Sequence, residues 1–347
     1  MSLVLPRTDW PRTDRTMWER LIREAGPLDD RGGLAHLRQS SRDILETHYG
    51  RWLKWLSLVD PEALSLPPAE RATLPRLQSW LEALAHTKPM SRLMFVDGVL
   101  RVLRAAAPDR DWALQLRLRA GLKRDAGRGD RARKSGRVLS SAVLLEVGLA
   151  LAKSDATAVS NRLKQMLAQR DGCMIALLAV LPMRCRAFCG MRLGQSIQVS
   201  AGDINIALSE DMTKTGVPWE TSVPPQVAPV LRHYIENVRP ALLARGNMAH
   251  DFLWVGKKGE ILDQNHVGSR IGDVTLRLTG VRIPPHLFRD AAATTLARLS
   301  PQSARLIPPV LAHSGFQTAE RHYIQAQTIE AGRDYAALIS QMKKEKR

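Results

Sequence analysis

The chain is predicted to be mainly α with a small antiparallel β-sheet, built as a helical N-terminal domain followed by an α+β domain. Three observations predict this. Apolar residues recur at helical spacing from residue 40 to 122 and again from 138 to about 183. From Ser196 the period shortens towards two, in the segments SIQVS, DINIALS and WETSVP. Between the helical stretches lies KRDAGRGDRARKSGR, residues 123–137, with seven basic residues against two acidic ones and no apolar periodicity. At 347 residues the chain is long enough for two cores, and the boundary is placed at this segment.

Residues 1–33 mix Pro, Gly and charge around a short helical stretch near Trp18 and read as an N-terminal extension. The domain over 34–122 starts its first helix near Ser40 and Asp43. Leu45, Tyr49, Trp52, Leu53 and Leu56 then fall on one stripe. A second helix carries Leu77, Trp80, Leu81 and Leu84. A third follows Ser91 through Leu93, Val96, Val99, Leu100 and Leu103, bearing Arg92, Arg101 and Arg104. A fourth runs from Asp109 to an end at Gly121. The aromatics lie on the apolar stripe, which makes them bundle core rather than stacking platforms. The 123–137 segment is either a solvated linker or a strand that tracks phosphates, and both readings agree with its charge. In the domain over 138–347, Leu144, Leu145, Leu149 and Leu151 mark one helix and Val159, Leu163, Met166 and Leu167 the next. A buried helix follows over Met174 to Val180. After the sheet, Val230 to Ala244 returns to helix, Phe252 to Val255 reads as a strand, and helices fill the rest.

Fifty-one Lys and Arg against 34 Asp and Glu leave a formal charge of +17, which calls for a polyanionic partner, nucleic acid ahead of an acidic membrane surface. Cys173, Cys185 and Cys189 lack paired metal-ligand spacing and read as buried free thiols, in keeping with a reducing cytoplasm. The first residues carry Pro and charge where a signal peptide needs an apolar core. The longest uncharged apolar run, Met174 to Met183, is too short to span a bilayer. A cytoplasmic protein without a membrane partner is expected.

The chemistry concentrates between Pro284 and Tyr323. His286 and Arg289 stand three apart at the start of a helix whose first turn is marked by Pro284 and Pro285, so both project from one face. His313 lies ten residues before Tyr323. Guanidinium binds phosphate oxygens in a planar fork, imidazole moves protons or donates to oxygen, and a phenol can act as nucleophile, a set suited to a phosphodiester. Taken singly, each residue would pass for part of a surface helix or for a half-buried structural tyrosine.

This order of residues, H-x-x-R, then L-A-H, then a tyrosine, resembles the tyrosine recombinases, or phage integrase family. MIALLAVLPMRCRAFCGMRLGQSI resembles the family's first arginine block and makes Arg184 the counterpart, with Arg186 and Arg192 as neighbouring competitors. EDMTKTGVPWETSVP resembles its β-hairpin lysine segment, with Lys214 beside the Thr215-Gly216 turn and Lys257 and Lys258 as alternatives. The chain departs from the common pattern at Ala187, where many members carry an acid, at Asp290, where histidine is common, and in its ten-residue interval from His313 to Tyr323.

The resemblance implies a helical core-binding domain before a tyrosine-recombinase catalytic domain, the two holding opposite sides of a duplex. Arg184 and Arg289 would neutralise the scissile phosphate, His286 would act as base and His313 as a donor. Lys214 would protonate the leaving oxygen, and Tyr323 would form a 3′-phosphotyrosyl link that stores the phosphodiester energy for rejoining. No metal or other cofactor is implied. Phosphate contacts are expected from Arg92, Arg101 and Arg104 in the bundle and from Lys123, Arg124, Arg128, Arg131, Arg133, Lys134 and Arg137 in the linker. The implied partners are double-stranded DNA, three further copies of the chain in a tetramer on DNA, and accessory factors or sister recombinases. Ile329, Ala331, Tyr335, Ala336 and Ile339 mark a C-terminal helix that packs on its own domain or docks on a neighbour. Two rival readings are a type IB topoisomerase and a DNA-binding protein that keeps the fold without cutting.

Overall fold

The computed structural model describes residues 3–26, 30–127, 139–154, 161–213, 216–299, 303 and 305–310. The chain divides into two compact units, Met1–Arg131 and Ala132–Arg347.

The first unit is all helical, with α1 (Arg12–Ile22), α2 (Gln39–Val59), the short α3 (Pro68–Arg71), α4 (Leu74–Ala83), α5 (Pro89–Ala106) and α6 (Ala113–Ala126). Its core joins Tyr49, Trp52, Leu53 and Leu56 of α2 to Leu77 and Trp80 of α4 and to Val96, Val99, Leu100 and Leu103 of α5. Trp52 meets Trp80 edge-on with centroids 5.1 Å apart, so these rings are packing elements, as their place on the apolar stripe predicts. The stretch read as an extension contributes to this core. Trp10, Met17, Trp18 and Leu21 are buried in it, and Asp14 pins α1 to the bundle.

The pin is ionic. Asp14, Arg71 and Tyr49 have no exposed surface. Arg71 donates through Nη1 to both Asp14 carboxylate oxygens, at 2.9 and 2.8 Å, and through Nε and Nη2 to the carbonyls of Leu66 and Leu64. The Tyr49 hydroxyl donates to Asp14 at 2.6 Å, and burial beside that carboxylate pushes its phenol well above the usual range. A buried pair holds only when its remaining hydrogen-bonding capacity is met, as it is here. At the other end of the unit, α6 does not stop at Gly121. It continues through Lys123 and Arg124 to Ala126 and ends at Gly127, whose φ of 59° with ψ of −156° is a conformation open chiefly to glycine. Gly121 is tolerated inside the helix because nothing requires a turn there, and the first residues assigned to the linker are helical.

In the second unit, α7 (Ser141–Ala152) lies along α8 (Arg162–Val180). The two approach closely because glycines face each other. A Cβ on Gly172 would come within 2.3 Å of the Ala152 nitrogen, and one on Gly148 within 2.6 Å of the Ala176 nitrogen. The two helical segments expected over Val159–Leu167 and Met174–Val180 form the single helix α8, apart from Val159, which lies outside the described residues. After α9 (Cys185–Gly190) come β1 (Ile197–Val199), β2 (Ile204–Leu208) and β3 (Trp219–Ser222), an antiparallel sheet in the order β1-β2-β3. Ile206 pairs with Ile197 on one side and Thr221 on the other. Ile204, Ile206 and Leu208 alternate into the core, the period-two pattern at work.

The helix expected over Val230–Ala244 forms as α10 (Ala228–His233), a π turn over Tyr234–Val238 and α11 (Arg239–Leu243). The wide turn fits Pro240, which lacks the N–H for a regular bond to residue 236 and whose ring would crowd that carbonyl. Phe252 to Val255 is not a strand. Phe252 bridges Arg192 and Val255 bridges Ile261, while Trp254 between them is fully buried. The unit continues with α12 (Gln264–Thr279), α13 (Pro285–Leu299) and the short α14 (Ile307–Val310). Among the described residues no helix is long and apolar enough to cross a membrane.

Two substitutions test these joints. Arg71→Met strands a buried carboxylate and is expected to cost about 3–5 kcal/mol of first-unit stability in urea unfolding, with much of it recovered by Asp14→Asn/Arg71→Met. A loss under about 1 kcal/mol would contradict the pin. Gly172→Ala is expected to cost about 1–3 kcal/mol in the second unit, against little change for Gly202→Ala, whose Cβ would meet nothing within 4 Å.

Candidate active site

Helix α8 ends at Val180, and Pro182 and Met183 lead into Arg184, which sits in extended backbone as the N-cap of α9. The position of α9 is set from behind. The Phe188 ring stacks on Trp254 with centroids 4.8 Å apart, and the Trp254 indole N–H donates to the Phe188 carbonyl at 3.0 Å. The Tyr234 hydroxyl donates to the Leu253 carbonyl and accepts from the Val255 N–H, which fixes the segment carrying Trp254.

Helix α13 presents the second half of the site. Its starting point is set by Thr275 of α12, which is fully buried. The Thr275 hydroxyl donates to the Ile271 carbonyl at 2.9 Å and accepts from the Ile283 N–H at 2.9 Å, two residues before Pro285 opens the helix. His286 is exposed on the first turn, and Arg289 follows one turn later, half-buried. Arg289 reaches across the fold. Its Nη1 donates to the Pro182 carbonyl at 2.8 Å, tying α13 to the segment that delivers Arg184.

The electrostatics of this joint are unfavourable on their own. Burial, and then the charge of Arg184, push the Arg289 guanidinium down to about 10, while Asp290 pulls it back up. Arg289 remains a cation at neutral pH, so two like charges 105 residues apart in sequence are held together with one of them partly desolvated. An anion placed between them would relieve both costs.

Of the competitors of Arg184, Arg192 is engaged elsewhere. The Arg192 guanidinium lies over the Phe252 ring at 4.1 Å and pairs with Asp251 at 3.6 Å. Arg186 is exposed and lines a cavity of about 860 Å³ with Met212, Pro218 and Asp263. Ala187 is buried at 3% exposure, so an acid at this departure from the family pattern would face the core. Lys257 and Lys258 are exposed in the Gly256–Gly259 turn. Lys214 falls between β2 and β3, and Lys214, His313 and Tyr323 lie outside the described residues, as does the expected C-terminal helix.

In the first unit Arg101, Arg104, Lys123 and Arg124 are exposed and Arg92 is half-buried. Arg101 and Arg104 open on a groove of about 290 Å³ that Arg119 shares, with Arg119 also paired to Asp97. Arg119 was not singled out in the sequence. Arg128, Arg131, Arg133, Lys134 and Arg137 lie outside the described residues.

Supporting residues also escaped the sequence reading. Asp171 of α8 accepts from Arg170 through one oxygen, at 2.7 Å, and from Arg270 of α12 through the other, at 2.6 Å. Asp171 is 1% exposed and Arg170 4%. The visible signal was a charged pair interrupting the apolar face of a buried helix, which requires a partner elsewhere. Cys185 is half-exposed rather than buried, whereas Cys173 and Cys189 are buried.

Residues 151–330 match the model of the phage integrase family. No curated protein matches the chain. Among solved structures, the XerH site-specific recombinase bound to difH substrate in a pre-cleavage complex is 14% identical, with a TM-score of 0.54 over 93% of this chain and 95% of that one. The Tn1549 transposon integrase in complex with transposon right end DNA is 15% identical, with a TM-score of 0.53 over 92% of this chain and 98% of that one. A palindromic difH post-cleavage complex of XerH is similar at 15% identity and a TM-score of 0.52. Identity this low speaks to the fold alone.

The joint predicts anion-dependent stability. Inorganic phosphate at tens of millimolar is expected to raise the melting temperature of the second unit, and either Arg184→Gln or Arg289→Gln to abolish that rise. A rise that survives both substitutions would place the anion elsewhere. Thr275→Val is expected to cost about 1–3 kcal/mol by stranding the Ile283 N–H, with Thr275→Ser restoring most of it.

Proposed function

The chain belongs to the phage integrase family, and on that premise we propose that it is a site-specific DNA recombinase that cuts and rejoins strands through a 3′-phosphotyrosyl intermediate. The observation that carries this reading is the juxtaposition of Arg184 and Arg289 across the Pro182 carbonyl, a pair of guanidinium groups whose mutual repulsion a phosphate would relieve.

In the proposed reaction the scissile phosphate lies between the two arginines, which offset the charge that gathers on its non-bridging oxygens as the phosphorane forms. The Tyr323 hydroxyl attacks phosphorus and its proton passes to His286. The phosphorus to 5′-oxygen bond breaks, and Lys214 protonates the departing oxygen, leaving a free 5′-hydroxyl. His313 donates to a non-bridging oxygen. Because one phosphodiester is exchanged for another, attack by a 5′-hydroxyl from a second duplex reverses the steps and completes strand transfer without an external energy source.

The first unit serves as the core-binding domain, with Arg92, Arg101 and Arg104 on phosphates and the basic segment over 123–137 along the backbone. Such contacts position the protein and make its affinity fall with salt. The similar structures of XerH and the Tn1549 integrase are complexes with DNA substrates, which supports double-stranded DNA as the partner. The reaction would join or release a mobile element, by integration, excision or transposition, with four protomers on paired sites and with accessory factors or sister recombinases where the sites require them. The protein would act in the cytoplasm, on the nucleoid.

Because recognition of sequence rests on groove contacts, the substrate for a test is best chosen by the protein itself, from a random duplex pool. A nicked suicide form of the selected duplex is expected to trap a covalent adduct with the wild type and none with Tyr323→Phe. Arg289→Ala and Arg184→Ala are each expected to slow adduct formation by about 100-fold or more. Binding without an adduct in the wild type would point to a non-catalytic DNA-binding protein. Relaxation of supercoils without joining of two sites would point to a type IB topoisomerase.

A further inference from the structure

Two thiols stand directly beside the arginine pair, and the proposed strand exchange makes no use of them. Cys185 follows Arg184 in sequence, and Cys189 lies one helical turn on. Their sulfur atoms are 3.8 Å apart and both thiols are free. Cys185 is half-exposed, with its sulfur 3.7 Å from the Gln264 carbonyl at the start of α12. Cys189 is 7% exposed and lines the cavity of about 860 Å³, next to Asp263 and Gln264, so small molecules reach the pair from that side.

The two sulfurs are not equivalent. The contact with the Cys189 thiol holds the Cys185 thiol below its usual range against the opposing effects of burial and the Asp263 charge. The same contact, with burial, pushes Cys189 up. Cys173 is fully enclosed and raised by burial alone, which leaves it an inert internal reference.

We propose that Cys185 and Cys189 form a peroxide-sensitive dithiol that displaces Arg184 when it is oxidised. The Cys185 thiolate attacks one oxygen of hydrogen peroxide, the O–O bond breaks, and the hydroxide released takes up the thiol proton to leave as water. Cys185 is then a sulfenic acid. The Cys189 sulfur attacks the Cys185 sulfur, the S–O bond breaks, and the sulfenic oxygen leaves as a second water with the Cys189 proton. Two thiols become one disulfide, and their two electrons reduce the peroxide.

Closure of this bond is coupled to Arg184 by geometry. Side chains at i and i+4 on a helix hold their Cβ atoms about 5–6 Å apart. A disulfide requires about 3.8 Å. The turn from Arg184 to Cys189 therefore cannot stay intact. Its far side is fixed, because the Phe188 carbonyl is held by the Trp254 indole and the ring is stacked on Trp254. Its near side is held by the bond from the Phe188 N–H to the Arg184 carbonyl, at 3.0 Å. The near side yields, and it carries Arg184 out of register with Arg289.

The test treats the full chain with hydrogen peroxide and reads three quantities. Intact mass is expected to fall by about 2 Da, with a Cys185–Cys189 crosslinked peptide, Cys173 still open to alkylation after unfolding, and full reversal by dithiothreitol. Amide exchange over residues 184–190 is expected to rise on oxidation of the wild type and not of Cys189→Ser. Formation of the covalent DNA adduct is expected to fall at least about 10-fold on oxidation and to recover on reduction, with Cys189→Ser unaffected by a brief exposure. Oxidation of Cys185 to sulfinic or sulfonic acid without a crosslink would overturn the proposal. So would a crosslink that leaves exchange and adduct formation unchanged. The activity readout rests on the recombinase reading. If the reduced chain forms no adduct, that reading fails, while crosslinking and amide exchange still decide whether the thiol pair displaces Arg184.

Discussion

A hydrogen bond from Arg289 to the Pro182 carbonyl joins the two elements of the second unit that carry Arg184 and Arg289. Arg184 leaves the end of α8 and Arg289 the second turn of α13. Left alone, the pair is costly, since Arg289 is partly desolvated beside a like charge. The surrounding fold supplies what the pair lacks. Thr275 sets where α13 begins, the Phe188–Trp254–Tyr234 stack fixes α9, and the Asp171 network joins α8 to α12. In the proposed reaction, charge positioned in this way would stabilise a phosphorane without rearrangement.

Much of this was legible in the chain before any coordinates. The 3.6-residue period marked α2, α4, α5, α7 and α8, and the period of two marked the three strands, because one buried face leaves a repeating apolar imprint. His286, Arg289, His313 and Tyr323 suggested chemistry on a phosphodiester through residue type and spacing, and Arg184 came from the resemblance to the family. What escaped notice was pairing across the chain. Asp14 and Arg71 are 57 residues apart and Asp171 and Arg270 are 99 apart, and no local pattern announces that one charge will cover another. Residues 10–21 looked like an extension because Pro and charge surround them, yet Trp10 and Trp18 complete the first core. Gly121 looked like a helix end because a glycine signals one, but the residues beyond it are good helix formers.

On the proposed function the two units would present different chemistry to the same kind of partner. Arg101 and Arg104 on α5, and Lys123 and Arg124 at the end of α6, are exposed and solvated, and phosphate contacts from such side chains would be reversible and yield to salt. Arg289 is instead half-buried and hydrogen-bonded to a main-chain carbonyl, an arrangement that trades hydration for a fixed direction. In the proposed function the surface arginines would hold a duplex anywhere along its length, while the paired ones would accept a phosphate at one point. The proposed dithiol next to Arg184 would add a chemical handle on that second function while leaving the first untouched.

The central claim, that Arg184 and Arg289 jointly form one oxyanion site, is tested most directly by locating a bound oxyanion. Crystals of the protein soaked in tungstate would reveal the tungsten by its anomalous scattering. The account predicts a peak with tungstate oxygens within hydrogen-bonding distance of both guanidinium groups, beside the Pro182 carbonyl. Tungstate bound only elsewhere, with Arg184 and Arg289 turned towards separate surfaces, would contradict it.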